Sequence, residues 1–559
     1  MTVQLLTGQA ALLHLGAAQF RAGWIALHDN CPWATACQHP DFVLPWYALY
    51  STAFLPVAVF SEREDGTLDA LLTLALRPGG KTLTGAGDNQ AEYQGWIQAP
   101  SAAGGFMTHA LRALRAQFPG AELRLKYLPP GIALNWVEEK EVASVCALRM
   151  YSRPLMQIDA GEMNRQRNKK NHRQNYNRLK KLGEVSLARV VEMDAFLDVF
   201  GDICLQYDFR QAAFFRNMPF ARDPLKKPFY VALQKSGLLH TTVLNVGSKV
   251  AASHVGLVSK GTALHLGINT YDPAFAAHSP GNLLLAMLGV HLVAEEVNLL
   301  DLTPGGDKYK EQFATGYDVV AELIVYPGRA RRLFGELLRK LLALSKAKLG
   351  AAGIRPAQIV GAFQKMKDVP VFGAGKKGRQ AQGTGSGHVR DLRYCPGARV
   401  VAASPLPIAK NCLQDMMKFD AQGSFARYCD FLGMVMKRLE RSNDLFTLVQ
   451  DGRLALSCWR RPASAKVSSH TPLPGAPIPR NTTLLFDLCL HPGVDGRKIL
   501  PGFIEQLVRE LHGTTHDTDI VYRGALTREL ETVFRQRGFT DAEESAAPVG
   551  SSVSECAEV

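Results

Sequence analysis

SPGNLLLAMLGVHLVAEEVNLLDLTPGGDKYK, residues 279–310, carries three consecutive signals. Ser279 followed by Pro280 is the favoured order at a helix N-terminus: serine can accept from a free backbone N–H, and proline needs no donor there. The apolar run to Val297 reads as the helix, Asn298–Leu302 as a strand, and Thr303–Lys310 as a glycine-rich loop. A helix N-terminus with free N–H groups and the positive end of the dipole suits phosphate, and Gly281 would let backbone approach it closely. Ser279-Pro280-Gly281-Asn282 is therefore read either as an anion cradle or as a plain capped helix.

Upstream, FYVALQKSGLLHTTVLNVGSKVAASHVGLVSKGTALHLGINTY (229–271) predicts an antiparallel meander with turns at Ser-Gly, Gly-Ser-Lys and Lys-Gly. Before it, EMDAFLDVFGDICLQY (192–207) has helical spacing, and MNRQRNKKNHRQNYNRLKKLGEV (163–185) predicts a basic helix capped by Gly183. The stretch Arg165–Lys181 has eight lysines and arginines with no acid between them, a solvated face or a contact for polyanion. Nearer the N-terminus, LPVAVFSEREDGTLDALLTLAL (55–76) reads as two strands around an Asp-Gly turn, followed by the helix GGFMTHALRALRAQF and the strand ELRLKYLP. Beyond the quoted run, RARRLFGELLRKLLALSKAKL (329–349) carries a leucine stripe and a basic face. It is read as a helix packed on its own domain, or as one lying on an anionic membrane surface.

Mixed strand and helix rhythm recurs over 1–155, 156–326 and 396–540. Residues 327–395 are expected to form the basic amphipathic helix and a flexible linker, and 541–559 a disordered acidic tail. A length of 559 residues predicts about three to four domains. With 47% hydrophobic and 21% charged residues the composition is globular. No run approaches the roughly 20 apolar residues of a membrane helix, and the N-terminus lacks a secretory pattern, so a cytoplasmic, at most membrane-peripheral, protein is expected. Ten cysteines without a C-x-x-C pair predict a reduced compartment and no metal site. A net charge of +13 predicts an anionic partner.

ASHVGLVSKGTALHLGINTYDPAFAAHSPGNLLLAML followed by LLDLTPGGDKYKEQF resembles the GNAT-type acyltransferase domain of CelD/BcsL proteins, associated with cellulose and exopolysaccharide synthesis. The resemblance covers about 156–326. The first 155 residues look like a divergent GNAT-like lobe, an arrangement similar to that of Fem-type peptidyltransferases. LHPGVDGRKILPGFIEQLV and ELETVFRQRGF resemble, more weakly, the phosphate loop and closing segment of a third GNAT-like domain. Asp495, Lys498 and Leu500 depart from the usual residues there, and Arg497 and Lys498 are left as candidate phosphate contacts. The implied fold class is mixed-sheet α/β (α+β), multi-domain, with tandem GNAT-like acyl-CoA N-acyltransferase folds.

The resemblance implies transfer of an acyl group from acyl-CoA, acetyl or longer, to an amine or hydroxyl in polysaccharide or cell-envelope synthesis. An aminoacyl-tRNA-dependent Fem-like peptidyltransferase and a non-catalytic accessory protein are the alternatives. Ser279, Pro280, Gly281, Asn282 and Gly305 are the expected donor-binding residues. Asp301 is the candidate base or substrate-orienting carboxylate, or else a structural group bonding the 303–306 turn. Tyr309 would protonate the departing thiolate and Lys310 would pair with phosphate or an acidic substrate group, or both would anchor the loop; His254 would lie near the acyl site, or else is a structural strand histidine. The phosphate loop usual in GNAT enzymes is reduced here to one glycine, which leaves the donor open.

Overall fold

The computed structural model describes residues 3–100, 105–259, 263–351, 389–395, 404, 406–463, 481–491, 494–514, 519–525 and 527–542. Of the helix and linker expected over 327–395, residues 352–388 lie outside these residues and Val389–Tyr394 form a strand instead; the Pro-rich stretch 472–479 and the tail beyond 542 also lie outside. The chain divides into two units, one of Met1–Asp208, Met218–Tyr271 and Ser279–Ile359, the other of Phe209–Asn217, Asp272–His278 and Val360–Val559.

In the first unit, β1 (Gln4–Thr7) precedes α1 (Gly8–Gly16), α2 (Ala18–Asn30) and α3 (Pro40–Tyr50). The expected hairpin comes next as β2 (Leu55–Glu62) and β3 (Leu68–Leu76), turning at Gly66 with φ 79°. Then come β4 (Thr82–Gly85), β5 (Ile97–Gln98), α4 (Phe106–Gln117) and β6 (Glu122–Leu125). Phe106, Met107, Ala110, Leu111 and Leu114 put one face of α4 into a core with Val57, Val59, Leu72 and Leu123. Each of these side chains larger than alanine contributes about 1.5–3 kcal/mol when fully buried. That packing lays α4 across the sheet, so that β4 and β6 emerge parallel, Leu83 beside Leu123.

After α5 (Lys140–Ala143) and β7 (Cys146–Gln157) the basic stretch forms two helices, α6 (Ala160–Arg167) and α7 (Lys170–Lys180), where the sequence predicts one. Nor does Gly183 cap it in a left-handed conformation, for it is absent from the positive-φ glycines. Its Cα faces the β-turn at Gly247, and a Cβ there would come within 2.9 Å of the Gly247 nitrogen. Close backbone approach is the reason for this glycine. Next are β8 (Val185–Val190), α8 (Met193–Phe215), α9 (Pro219–Arg222), α10 (Lys226–Lys235) and the meander β9 (Leu239–Val246), β10 (Lys249–Ser259) and β11 (Ala263–Tyr271). α11 (Pro280–Ala294) is apolar all round because it is buried, Gly289 allowing Met156 and Met163 to pack against its backbone. The unit closes with β12 (Leu299–Asp301), α12 (Lys308–Phe313), β13 (Gly316–Val325) and α13 (Arg329–Ala351). The leucine stripe of α13 does not pack on its own unit: Leu333, Phe334, Leu337, Leu338, Leu341 and Leu344 are exposed.

One sheet joins these strands in the order β1-β2-β3-β4-β6-β13-β7-β12-β11-β10-β9-β8, with β5 against β3. α11 crosses between β11 and β12 as α4 crosses between β4 and β6, giving a second parallel pair, His265 beside Asp301. β13 and β7 form the seam, running antiparallel from Gly316–Leu155 to Val325–Cys146.

The second unit has β14 (Val389–Tyr394), β15 (Ala409–Lys410), α14 (Leu413–Met416), α15 (Phe425–Glu440), β16 (Asp444–Gln450), β17 (Arg453–Arg461), β18 (Thr482–Leu490), α16 (Gly496–Thr514), β19 (Asp519–Ala525), α17 (Arg528–Gln536) and β20 (Phe539–Asp541). Its sheet order is β15-β16-β17-β18-β19-β14-β20. β18 and β19 are again parallel across a helix whose Phe503, Ile504, Leu507 and Leu511 are core.

Gly183→Ala should lower the thermal unfolding midpoint, the forced backbone shift costing about 1–3 kcal/mol. Gly201→Ala, in α8 with nothing within 4 Å of the new methyl, should be neutral or stabilising. Equal effects of the two substitutions would refute the close-approach explanation.

Candidate functional site

β12 ends at Asp301, whose side chain has no exposure at all. A carboxylate removed from water needs hydrogen bonds, and this one accepts four. Oδ2 accepts from the Tyr93 hydroxyl (2.5 Å), Arg153 Nη1 (3.1 Å) and His265 Nδ1 (2.9 Å), and Oδ1 from the Thr303 N–H (2.8 Å). Burial alone would raise the Asp301 carboxyl. The hydrogen bond and charge of His265, then Arg153 and Tyr93, outweigh burial and hold it below the ordinary carboxylate value. Burial and the Asp301 charge push Tyr93 well up, which keeps its hydroxyl a donor. Arg153 also donates from Nε to Asp318 (2.6 Å).

The glycine-rich loop is held from the same point. Thr303 takes φ 60° and Gly305 φ 151°. Lys310 Nζ turns back to donate to the Thr303 carbonyl (3.1 Å), Thr303 Oγ1 (3.0 Å) and the Pro304 carbonyl (3.3 Å). Its burial lowers the ammonium's pKa. All three donors are thereby directed at the loop, the anchoring alternative for this lysine. Tyr309 packs beside a core that includes Met156, Met163, Leu300 and Phe313.

Beyond the His265–Asp301 pair β12 ends while β11 runs on to Tyr271, so the parallel strands part. A cavity of about 160 Å³ there is lined by Gly256, Leu257, His265, Leu266, Gly267, Ile268 and Thr303 on this side, and by Asn89, Gln90, Glu92, Tyr207, Lys226 and Tyr230 on the other. A bulge between Val255 and Gly256 shapes it. Neither glycine could be replaced without backbone movement: a Cβ on Gly256 would lie 2.6 Å from the His265 carbonyl oxygen, and one on Gly267 2.6 Å from that of Val255. Glu92 pairs with Lys126 (2.9 Å). Lys226 is lowered by burial, against the pull of Asp223 and Asp208. A larger furrow of about 850 Å³, lined by residues such as His14, Phe20, Asn30 and Glu62, shares no residue with the Asp301 cluster. The smaller cavity is the candidate site because buried ionisable groups converge there.

His265 Nε2 bonds Ser259 Oγ (2.8 Å), which accepts the Ala36 N–H (2.9 Å). The Ser259–His265–Asp301 distances are those of a nucleophile relay. Ser259, however, is buried and is not among the residues lining the cavity, so the chain of bonds acts first as a link between the two halves of the unit.

The remaining predicted residues lie elsewhere. Ser279 is left-handed (φ 48°) and its side chain makes no capping bond; its carbonyl accepts from Leu283. Pro280 and Gly281 are buried, with Gly281 packed under Tyr271, where a Cβ would approach the ring to 3.3 Å. Asn282 donates to Gln312 (3.3 Å). Helix geometry leaves the Gly281 and Asn282 amides without intrahelical acceptors. His254, fully buried in β10, has no hydrogen-bond partner at either ring nitrogen. Burial, then His240 and Arg189, push it down to about 3, so it is a neutral ring. In the second unit Arg497 pairs with Glu529 (2.8 Å) and Lys498 with Asp495 (3.8 Å). Among the described residues no group of three or more His, Cys, Asp or Glu could hold a metal.

Sequence reasoning finds Asp301, Gly305 and Lys310, which the fold brings together, and misses Tyr93, Arg153, His265, Glu92 and Lys226. For His265 a signal exists: it is three residues into the strand that a β-α-β crossover sets beside LLD of β12.

Residues 166–311 match the acetyltransferase (GNAT) domain family. This chain contains a GNAT-type acetyltransferase domain. No curated protein matches it. Among solved structures it is similar to FemX (9% identity, 56% of this chain, 98% of that chain, TM-score 0.41). It is similar also to L-PGS from Bacillus licheniformis (10%, 58%, 96%, 0.36) and to a tandem GNAT protein from the clavulanic acid biosynthesis pathway (12%, 58%, 99%, 0.34).

Asp301→Asn should cost about 3 kcal/mol or more in urea unfolding, because Arg153 loses a buried partner; an unchanged midpoint would show the carboxylate to be incidental. His254 titrates near 6.5 when unfolded and near 3 when folded. Its contribution to stability is therefore full above about pH 6.5 and is lost as pH falls from there, by about 1.4 kcal/mol per unit. His254→Leu should narrow the gap between unfolding midpoints at roughly pH 7 and pH 5, and a gap of unchanged size would count against this account.

Proposed function

We propose that the first unit transfers an acyl group from an acyl-CoA-type thioester to an amine or hydroxyl acceptor in the cavity beyond the His265–Asp301 pair. The parting of β11 and β12 carries this reading. Past His265 the β12-facing edge of β11 has no strand partner among the described residues, leaving backbone N–H groups to hold the donor's carbonyl as charge develops on it. The Gly281 and Asn282 amides would take its phosphate.

In the proposed reaction the acceptor's nitrogen or oxygen bonds to the acyl carbon, the C–S bond breaks, and the thiolate leaves to be protonated from solvent. Asp301 bonds His265 Nδ1 and so fixes the orientation of the ring, whose Nε2 bonds Ser259. The acceptor's proton passes to the His265 imidazole, the member of this chain of bonds that lines the cavity. Asp301 thus becomes a positioning group, since both its oxygens are already engaged. Asn89, Gln90 and Glu92 give the acceptor side a polar wall suited to a hydroxyl- or amine-bearing molecule. The CelD/BcsL resemblance favours a polysaccharide or envelope component.

A second reading, aminoacyl-tRNA as donor, is favoured by one observation: all eight bases from Arg165 to Lys181 are exposed on α6, α7 and the residues beside them.

The test is mass spectrometry of the full chain with a panel of acyl-CoAs and amine or glycan acceptors, alongside release of free thiol. Acylated product is expected, and His265→Ala should slow it by about 10²- to 10⁴-fold. Absence of thiol release with every donor, together with tRNA binding that weakens steeply with salt, would replace this reading by the second. Neither activity nor binding would leave an accessory role.

A further inference from the structure

The helix α13 is built the opposite way round from a helix on a globular protein. Its polar side is the one tied to its own unit. Glu336 accepts from Arg149 (2.9 Å) and from the Tyr326 hydroxyl (3.1 Å), and Arg332 donates to the Ala143 carbonyl (2.5 Å). Gly335 lets the helix close on Tyr326, since a Cβ there would come within 2.9 Å of that ring. The other side carries Leu333, Phe334, Leu337, Leu338, Leu341 and Leu344 at helical spacing, and all are exposed, Leu333 by 73% and Phe334 by 69%. A contiguous exposed patch of this kind marks a binding surface.

Charge says what covers it. Arg329, Arg331 and Lys340 are exposed and, at 100° per residue, flank the stripe on both sides. Among residues 329–351 the only acid is Glu336, on the inward side and already bonded. Two copies meeting stripe to stripe would therefore set base against base with no acid to relieve them. Residues 352–388, next in sequence, carry six bases and one acid, so they supply no complementary charge either. An anionic lipid surface satisfies both halves of the pattern: acyl chains take the leucines, and headgroup phosphates take the flanking bases, whose long stems reach upward from the apolar face.

We propose that α13 is an interfacial helix that docks the first unit onto anionic membrane, lying in the plane of the lipid surface. Spanning is not involved, since among the described residues no helix is long and apolar enough to cross a bilayer. The inference is independent of the acyl-transfer reading, because its measurement is binding.

Co-sedimentation of the full chain with phosphatidylglycerol–phosphatidylcholine vesicles tests it. Wild-type protein should pellet with these vesicles, less so as salt rises, and stay in solution with phosphatidylcholine alone. Leu337→Asp/Leu341→Asp and, separately, Arg329→Gln/Arg331→Gln/Lys340→Gln should each lower partitioning by about tenfold or more. The positions are exposed, so circular dichroism and unfolding midpoints should not move. Wild-type protein that remains in the supernatant at low salt overturns the proposal, as does undiminished binding by the leucine variant. A lipid-free dimer in analytical ultracentrifugation that the leucine variant abolishes would reassign the stripe to self-association.

Discussion

The Asp301 carboxylate is the point on which the first unit's organisation turns. It is wholly buried, and a buried charge persists only where every oxygen is bonded and a countercharge is near. The fold meets that demand from four directions: Tyr93 from the N-terminal half, Arg153 from the seam strand, His265 from the neighbouring parallel strand, and the Thr303 amide from the loop after β12. Each donor lies on a different stretch of chain, so satisfying one side chain positions all four. The loop with Gly305 and Lys310, and the cavity edge at His265, take their places from this constraint.

The same small module recurs along the chain: an antiparallel strand, then a strand whose parallel neighbour is reached over a helix. It appears as β3-β4-β6, β10-β11-β12 and β17-β18-β19. Only the second ends in a buried Asp301 cluster. The difference lies in the side chain at the end of the final strand, Asp301, and in the Tyr93, Arg153 and His265 donors gathered on it.

Local features are legible in the sequence because their causes are local. Two apolar runs around an Asp-Gly turn predict β2 and β3, Ser-Pro marks the start of α11, and apolar spacing predicts α4. Gly183 is ambiguous in sequence because a cap and a close approach demand the same residue, and only the position of Gly247 separates them. Tyr93 and Arg153 cannot be found from spacing, being 208 and 148 residues from Asp301. The outward face of α13 is likewise hidden: a leucine stripe announces amphipathicity, not the direction in which it points.

The seam has a consequence for how the protein comes into being. β13, the last strand of the first unit, lies between β6 and β7, two strands that precede it by well over a hundred residues. As the chain leaves the ribosome, β6 has no neighbour on that edge until Val325 has emerged. The N-terminal half must wait with an open strand edge, exposed to wrong partners, while the half that carries β8–β13 is synthesised. Completion of the first half and completion of the second are one event, so nascent chains hold no finished cavity before both halves are present.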